Sequence, residues 1–277
     1  LEISIVKKFW ALFFFFWPAV AFWCCWIARS RGWWFPTSED NPLGLAMSPL
    51  GEQIDGLFYL ILGIVAVTFV GTQFALGYAL WMSATKDDSK PAHFSHGSHS
   101  LELIWTIVPA FVLVFIALYQ MNVWAEFRVQ SYFPEETMED GPKLEVTARQ
   151  FEWRMRYPAP GKVLSNQPQS DDLYAVNEMH VQTGRPVKFN LRTADVQHAF
   201  FAPQLRIKQD AVAGLIIPVW LEIPKAGNYD LVCAELCGWG HYKMRATIVA
   251  EPKEKVAEYL QKLGQEQNFD GVAATEE

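Results

Sequence analysis

The residues with most capacity for chemistry fall in one short stretch, Cys233-Ala-Glu-Leu-Cys237-Gly-Trp-Gly-His241-Tyr-Lys-Met244. It sets two thiols, an imidazole and a thioether at C-x3-C-x3-H-x2-M spacing, a soft and borderline ligand set that suits copper better than a hard cation. Cys237, His241 and Met244 alone have the order of a mononuclear electron-transfer copper loop, in which two His and a Cys lie in a plane and a Met sits on the axis. Cys233 is then one thiolate in excess. It has a use if both sulfurs bridge two copper ions, because an electron shared over two metals changes each bond length only slightly and loses little energy to reorganisation. Two other readings fit the same residues. One is a Cys233–Cys237 disulfide, which an oxidising compartment favours. The other is a closed Cys2His2 zinc site using His198 and His241, although zinc has no use for a Met three residues on. Trp239 reads as packing.

A further imidazole comes from Asp195-Val-Gln-His198-Ala-Phe-Phe-Ala-Pro203, where His198 follows a run that reads as strand. D-V-x-H, then L-R-I-K-Q-D-A-V at 205–212, then C-A-E-x-C-G-x-G-H-x-x-M stand in the order and at the separations of subunit II of the haem-copper cytochrome c oxidases. The chain resembles that family over residues 55–260. The resemblance implies a binuclear copper A centre with two coppers per chain. One copper takes His198 and Met244, the other takes His241 and the Glu235 main-chain carbonyl, and Cys233 and Cys237 bridge them. It also implies that the Glu235 side chain helps bind magnesium at the contact with subunit I, and that Lys208 and Asp210 face that subunit. A solvated loop carboxylate and an ordinary charged strand end are the alternative readings. The run Gln150-Phe-Glu-Trp153-Arg-Met-Arg-Tyr-Pro158 resembles the aromatic segment beside the copper centre, whose first aromatic is often a tryptophan taken to receive electrons from cytochrome c. Here that position is Phe151, so the role passes to Phe151 or Trp153, with core packing of a strand as the competing reading.

These residues need a framework. The chain has 277 residues and a net charge of −7, which argues against a nucleic-acid partner. Hydrophobic residues make up 51% and aromatics 15%, which implies a part in the lipid bilayer. The four cysteines fall into two neighbouring sets, Cys24 with Cys25 and Cys233 with Cys237, and form no disulfide framework. Residues 9–28 carry no charge, are long enough to span, and lie between Lys7 and Lys8 and Arg29 and Arg31. They read as a retained span, not a signal peptide, kinked at Pro18, with Cys24 and Cys25 on its apolar face. Residues 32–53 form a connecting loop.

Residues 57–80 form a second span, in which Gly71, Ala75 and Ala79 make a small-residue stripe suited to close helix approach, or are simply ordinary small residues. Residues 83–100 are a polar loop. His93, His96 and His99 invite a metal there, but Pro91 and Gly97 break the helix that would align them. Residues 103–124 make the third span, opened by Glu102. By the resemblance, the run at 102–109 begins the second helix of a hairpin whose acid lies at the entrance of a proton path into subunit I. A carboxylate favoured by the helix dipole is the other reading.

Residues 126–142 are an acidic linker. Beyond Lys143, apolar residues alternate at 144–148, 187–191, 216–223, 229–232 and 246–249, which predicts an all-β sandwich or barrel, cupredoxin-like by the resemblance. Residues 158–172 read as a polar loop and 253–265 as an amphipathic helix. The resulting partition is an extra N-terminal transmembrane helix and loop at 1–53, a transmembrane hairpin at 54–130, the copper domain with its linker at 131–252, and a helix and tail at 253–277. No C-x-x-C-H occurs, so no haem is expected on this chain.

The resemblance implies subunit II of an aa3-type terminal oxidase in proton-translocating aerobic respiration. It would accept electrons from cytochrome c and pass them to haem in subunit I. Its place would be the bacterial plasma membrane, with the copper domain on the periplasmic face and the amino terminus cytoplasmic. A membrane-anchored copper carrier is a competing reading. Nitrous oxide reduction is a third, against which three spans and the lack of a histidine-rich catalytic region count. Glu135, Glu136, Asp171 and Glu178 are candidates for steering a basic donor.

Overall fold

The computed structural model describes residues 2–38, 41–86, 94 and 96–269. Its contacts divide the chain into two units, residues 1–34 with 56–121, and residues 35–55 with 122–277. Among the described residues there are three long helices: α1 (Glu2–Ser30), α2 (Pro49–Thr85) and α3 (His99–Arg128). All three are long and apolar enough to cross a membrane. Each outruns its apolar window because the polar residues at its ends continue the backbone hydrogen-bond ladder. α2 starts early for a local reason: Ser48 Oγ accepts from the Gly51 N–H at 3.0 Å, and Pro49, lacking an N–H, takes the first helical position. α1 stays helical through Pro18.

In the first unit α1 and α2 run antiparallel. Ser4 Oγ donates to the Ala84 carbonyl at 3.0 Å near one end, and Arg29 Nε donates to the Tyr59 hydroxyl at 3.1 Å near the other. The expected close approach falls on a different residue. Gly71, Ala75 and Ala79 are exposed, whereas Gly77 is buried, and a Cβ there would lie 3.0 Å from the Phe15 ring and 3.1 Å from the Ala11 carbonyl. Of the loop histidines, His93 lies outside the described residues. The His96 ring packs on Phe94 with centroids 4.8 Å apart, and His99 lies 3.9 Å from Glu102, so these two face different partners.

The second unit is built on two five-stranded sheets. The strands are β1 (Leu144–Arg149), β2 (Glu152–Tyr157), β3 (Leu173–Val176), β4 (Glu178–Gln182), β5 (Val187–Thr193), β6 (His198–Ala202), β7 (Ile207–Ala211), β8 (Ile217–Leu221), β9 (Gly227–Cys233) and β10 (Arg245–Glu251). One sheet has the order β3-β2-β1-β5-β8 and the other β4-β10-β9-β6-β7. Inward residues of both sheets form a single core around Trp153, Phe189 and Phe200. This is the expected all-β sandwich. The acidic linker holds a short helix, α4 (Glu135–Glu139), and the chain ends in α5 (Lys253–Phe269). His198 opens β6; it does not follow a strand, because β5 stops at Thr193 and a bend intervenes.

The loop at 35–55 is tied to this sandwich. Arg206 donates to both Asp55 carboxylate oxygens, at 2.8 and 3.0 Å, and to the Gly44 carbonyl at 2.7 Å, while its guanidinium lies 4.2 Å from the Phe35 ring centroid. At the opposite flank, Tyr259 of α5 stacks on His180 with ring centroids 3.4 Å apart. His180 itself lies between Glu178 at 2.8 Å and Glu251 at 2.7 Å.

The polar loop at 158–172 is held by buried charge. Arg156 on β2 donates from Nη1 to Asp172 at 2.7 Å, from Nε to Glu145 Oε1 at 3.2 Å and from Nη2 to the Ser165 carbonyl at 3.0 Å, and all three ionic side chains are buried. Removing one carboxylate leaves the guanidinium undercompensated. Asp172→Ala is therefore expected to lower stability by about 3 kcal/mol in chemical denaturation of the full chain followed by near-ultraviolet dichroism; a change below about 0.5 kcal/mol would refute a clamping role.

Candidate metal centre

The cysteine-rich stretch is the connection between β9 and β10. β9 ends on Cys233, residues 234–240 form the loop, a turn of 3-10 helix covers His241–Lys243, and β10 begins at Arg245. Its neck is closed by the Cys233 N–H donating to the Met244 carbonyl at 3.1 Å, which continues the ladder between the two strands. Strand β6 lies beside β9, with Phe200 opposite Cys233, and this pairing brings His198 into reach. Strand pairing adds His198 to the five donors that the loop itself carries.

Six donor groups converge there. The two sulfurs stand 3.9 Å apart. Cys233 Sγ lies 3.8 Å from His198 Nδ1 and 3.2 Å from the Glu235 carbonyl oxygen. Cys237 Sγ lies 3.7 Å from His241 Nδ1 and 3.9 Å from Met244 Sδ. A disulfide requires sulfurs about 2.0 Å apart, so these thiols are free. A thiolate sits about 2.3 Å from a bound d-block ion, so two sharing one ion stand no more than about 4.6 Å apart, and the observed spacing fits. His198, Cys233, Cys237 and Met244 are buried, His241 is half-buried, and the Glu235 side chain points outward.

Electrostatics prepare the sulfurs unequally. Burial works against a thiolate at Cys233, but hydrogen bonding from His198 and the main chain at Ala199 outweighs it and brings its pKa down to about 6. Burial raises Cys237, and the neighbouring Cys233 charge pushes it further, up to about 11. His198 is oriented from behind. Its Nε2–H donates to Asp195 Oδ1 at 2.8 Å, which turns Nδ1 toward the sulfurs. Burial disfavours charge on Asp195, yet hydrogen bonds from the Gln150 N–H, His198 and the Val196 N–H overcome it and hold the carboxyl below the usual range. This is the carboxylate–histidine arrangement that fixes the tautomer and ring angle of a metal ligand.

Two supports were not legible from residue types. Gln150 donates from its main chain to Asp195 at 2.7 Å and from Nε2 to the Cys237 carbonyl at 2.5 Å, which links the two ligand segments. Phe151 fills the space a side chain would need beside Gly240, where a Cβ would lie 2.6 Å from its ring. The acid three residues before His198 was the available signal for Asp195; nothing local marked Gln150.

Trp153 is fully buried, with its ring edge-on to Phe200 and 6.4 Å between centroids from His198. It packs the core and can touch no partner protein, whereas Phe151 is half-buried. Trp239, read as packing, is 76% exposed. Glu102 lies in the first turn of α3 and is exposed. Lys208 lies on β7 near the Phe201 ring, and Asp210 accepts from Gln197 Nε2 at 3.3 Å. Among the steering candidates, Asp171 pairs with Lys162 and Glu178 with His180, while Glu135 and Glu136 open α4.

A six-donor site of sulfur, imidazole and carbonyl at the loop end of a β-sandwich, joined to long apolar helices, defines a membrane-anchored cupredoxin-like protein. The comparisons name the family. The family model described as the cytochrome c oxidase subunit II transmembrane domain matches residues 36–123, and that described as its periplasmic domain matches residues 149–251. The alternative cytochrome c oxidase subunit 2 of Bradyrhizobium diazoefficiens is 31% identical over 48% of this chain and 54% of its own. The cytochrome c oxidase subunit 2 of Alkalihalophilus pseudofirmus is 27% identical over 80% of this chain and 62% of its own. That of Oenothera berteroana is 30% identical over 71% of this chain and 77% of its own. The chain belongs to the cytochrome c oxidase subunit II family. The matches to the first two relatives span less than two thirds of their length.

If Asp195 holds His198 in register, Asp195→Ala lowers metal affinity by roughly 10- to 100-fold in competition with a chromophoric chelator. Wild-type affinity in that variant would leave the carboxylate with a loop-forming role alone.

Proposed function

We propose that this chain is the electron-accepting subunit of a haem-copper terminal oxidase. In this reading it takes single electrons from a cytochrome c and passes them to haem in subunit I, within proton-translocating aerobic respiration of the aa3 type. The supporting observation is how the donors divide between the sulfurs. His198 and Met244 approach opposite sulfurs, and so do the Glu235 carbonyl and His241. Each of two coppers bridged by Cys233 and Cys237 would thus find one terminal donor beside either sulfur: His198 with Met244 for one, His241 with the Glu235 carbonyl for the other. When bound, such a pair supplies a one-electron reservoir with little change in bond length on reduction. The chain's own part is to hold the ligands, orient His198 through its hydrogen bond to Asp195, and exclude water with the core residues around Trp153.

The same reading gives the exposed Glu235 carboxylate a place in binding magnesium against subunit I and gives Glu102 the entrance of a proton path. The domain would face the periplasm of a bacterial inner membrane, with the amino terminus on the cytoplasmic side. A copper carrier would need donors that release metal easily, and burial of His198, Cys233, Cys237 and Met244 counts against that.

Purified chain is expected to carry two coppers and to give an electron spin resonance spectrum with hyperfine splitting from two equivalent nuclei. Cys233→Ser and Cys237→Ser are each expected to abolish that pattern; zinc, or a single copper, in the wild type would end this assignment. With the acidic net charge of −7, reduction by a basic ferrocytochrome c is expected to slow as ionic strength rises, and a rate independent of salt would remove the steering component.

A further inference from the structure

Four of the candidate side-chain ligands are covered and His241 is half-buried, so an electron from outside crosses protein groups to reach the sulfurs. His198 is 0% exposed, Met244 1%, Cys237 5% and Cys233 8%. Trp153, the deeper aromatic neighbour, lies in the core. On the ligand loop itself three large side chains stand out instead: Leu236 and Tyr242, and between them Trp239. Trp239 occupies the middle of the segment joining Cys237 to His241, two residues from each.

The indole is seated, not loose. Phe151 meets it edge-on with centroids 5.1 Å apart and an interplanar angle of 65°. Phe151 in turn lies against Gly238 and Gly240, on either side of Trp239, where added Cβ atoms would come within 3.2 Å and 2.6 Å of its ring. Glycine at both positions lets the ring reach the loop backbone. Lys243 covers another part of the indole, with its ammonium 4.5 Å from the ring centroid. A cation there disfavours removing an electron from the indole, so the ring would serve as a bridge and not as a station that is itself oxidised.

Two routes lead inward. One follows the main chain from Trp239 to Cys237 and to His241. The other crosses the ring contact to Phe151, passes to the adjoining Gln150, and follows its 2.5 Å hydrogen bond to the Cys237 carbonyl.

Resting on the reading above, we propose that Trp239 is the contact through which a haem donor delivers its electron, with Leu236 and Tyr242 as the apolar rim of the docking surface. The partner is a c-type haem protein presenting its own exposed haem edge, since three large exposed side chains on one ligand loop offer apolar contact to that edge, and the net charge of −7 favours a basic donor. The step moves one electron and no proton: the donor iron goes from ferrous to ferric, the centre is reduced by one electron, and no bond is made or broken. Trp239 is a positioning and bridging residue, because it ligates nothing.

The test uses the full chain in detergent, loaded with copper, in wild-type, Trp239→Ala and Trp239→Phe forms. Stopped-flow reduction is followed with a soluble basic ferrocytochrome c and, separately, with hexaammineruthenium(II). The expected result is that Trp239→Ala slows the protein donor by roughly tenfold or more, the scale set by losing an exposed aromatic anchor. Trp239→Phe should fall between the two, with reduction by the ruthenium ion and the copper spin resonance unchanged. Wild-type rates with the protein donor in Trp239→Ala would overturn the assignment. So would an equal loss with both reductants, which would mean a damaged centre. A wild type without a two-copper signal would instead overturn the proposed function, and this inference with it.

Discussion

Two thiols with sulfurs 3.9 Å apart inside a folded domain cannot both shed their protons easily, and the surrounding structure answers to that constraint. Burial disfavours either thiolate, and a charge on the first opposes a charge on the second. Cys233 is relieved by His198 and the main chain and ionises first, down to about 6. Cys237, left to face that charge, rises to about 11. The pair therefore holds one thiolate readily and a second only against positive charge brought between them. Cationic metal is the natural counterpart of such a site, and loading it releases protons.

Holding the sulfurs at this separation takes rigid parts on both sides. The strand ladder fixes the neck of the loop through the Cys233 N–H and Met244 carbonyl, and β6 fixes His198 by pairing with β9. A flexible loop carrying the same residues would let the sulfurs reach bonding distance, and in an oxidising compartment they would join. Asp195 and Gln150 add the cross-link between segments. One carboxylate orients His198, and one amide side chain ties the Cys237 carbonyl to the strand hairpin on the other sheet. Asp195 keeps contact with solvent while accepting from the Gln150 N–H, the Val196 N–H and His198, so the charge that orients the buried ligand is not itself sealed from water.

The sequence was most readable where local pattern and burial agree. β1, β5, β8, β9 and β10 alternate or run apolar against the core, and they appear where the alternation predicts them. β3 and β4 are short and separated by Asn177 at φ 58°, which leaves too little pattern to read. β6 is apolar on both faces and β7 is mostly polar, so period-two alternation fails in both. The six candidate donors were legible because their spacing is local or motif-bound. Gln150 was not, since its contacts lie 45 and 87 residues away. The small-residue stripe misled for a related reason. Any of several faces of α2 could offer small residues, and only Phe15 on α1 selects Gly77.

Burial and accessibility pull in opposite directions at such a site. Excluding water from the donors protects the thiols and lowers the energy needed to rearrange solvent when charge arrives, but it also moves the centre away from any molecule that would exchange electrons with it. The loop reconciles these demands in its sequence order. A buried ligand sits at 237 and a half-buried one at 241, glycines at 238 and 240 admit the Phe151 ring, and the residue between them is free to turn outward. A side chain at Gly240 would collide with Phe151, one at Gly238 would meet Gln150 Nε2 at 2.9 Å, and retreat of the ring would uncover the backbone next to the ligands. The aromatic seat thus does two things at once: it seals the loop from below and supports an exposed indole above, so the protective wall and the point of contact are the same few residues.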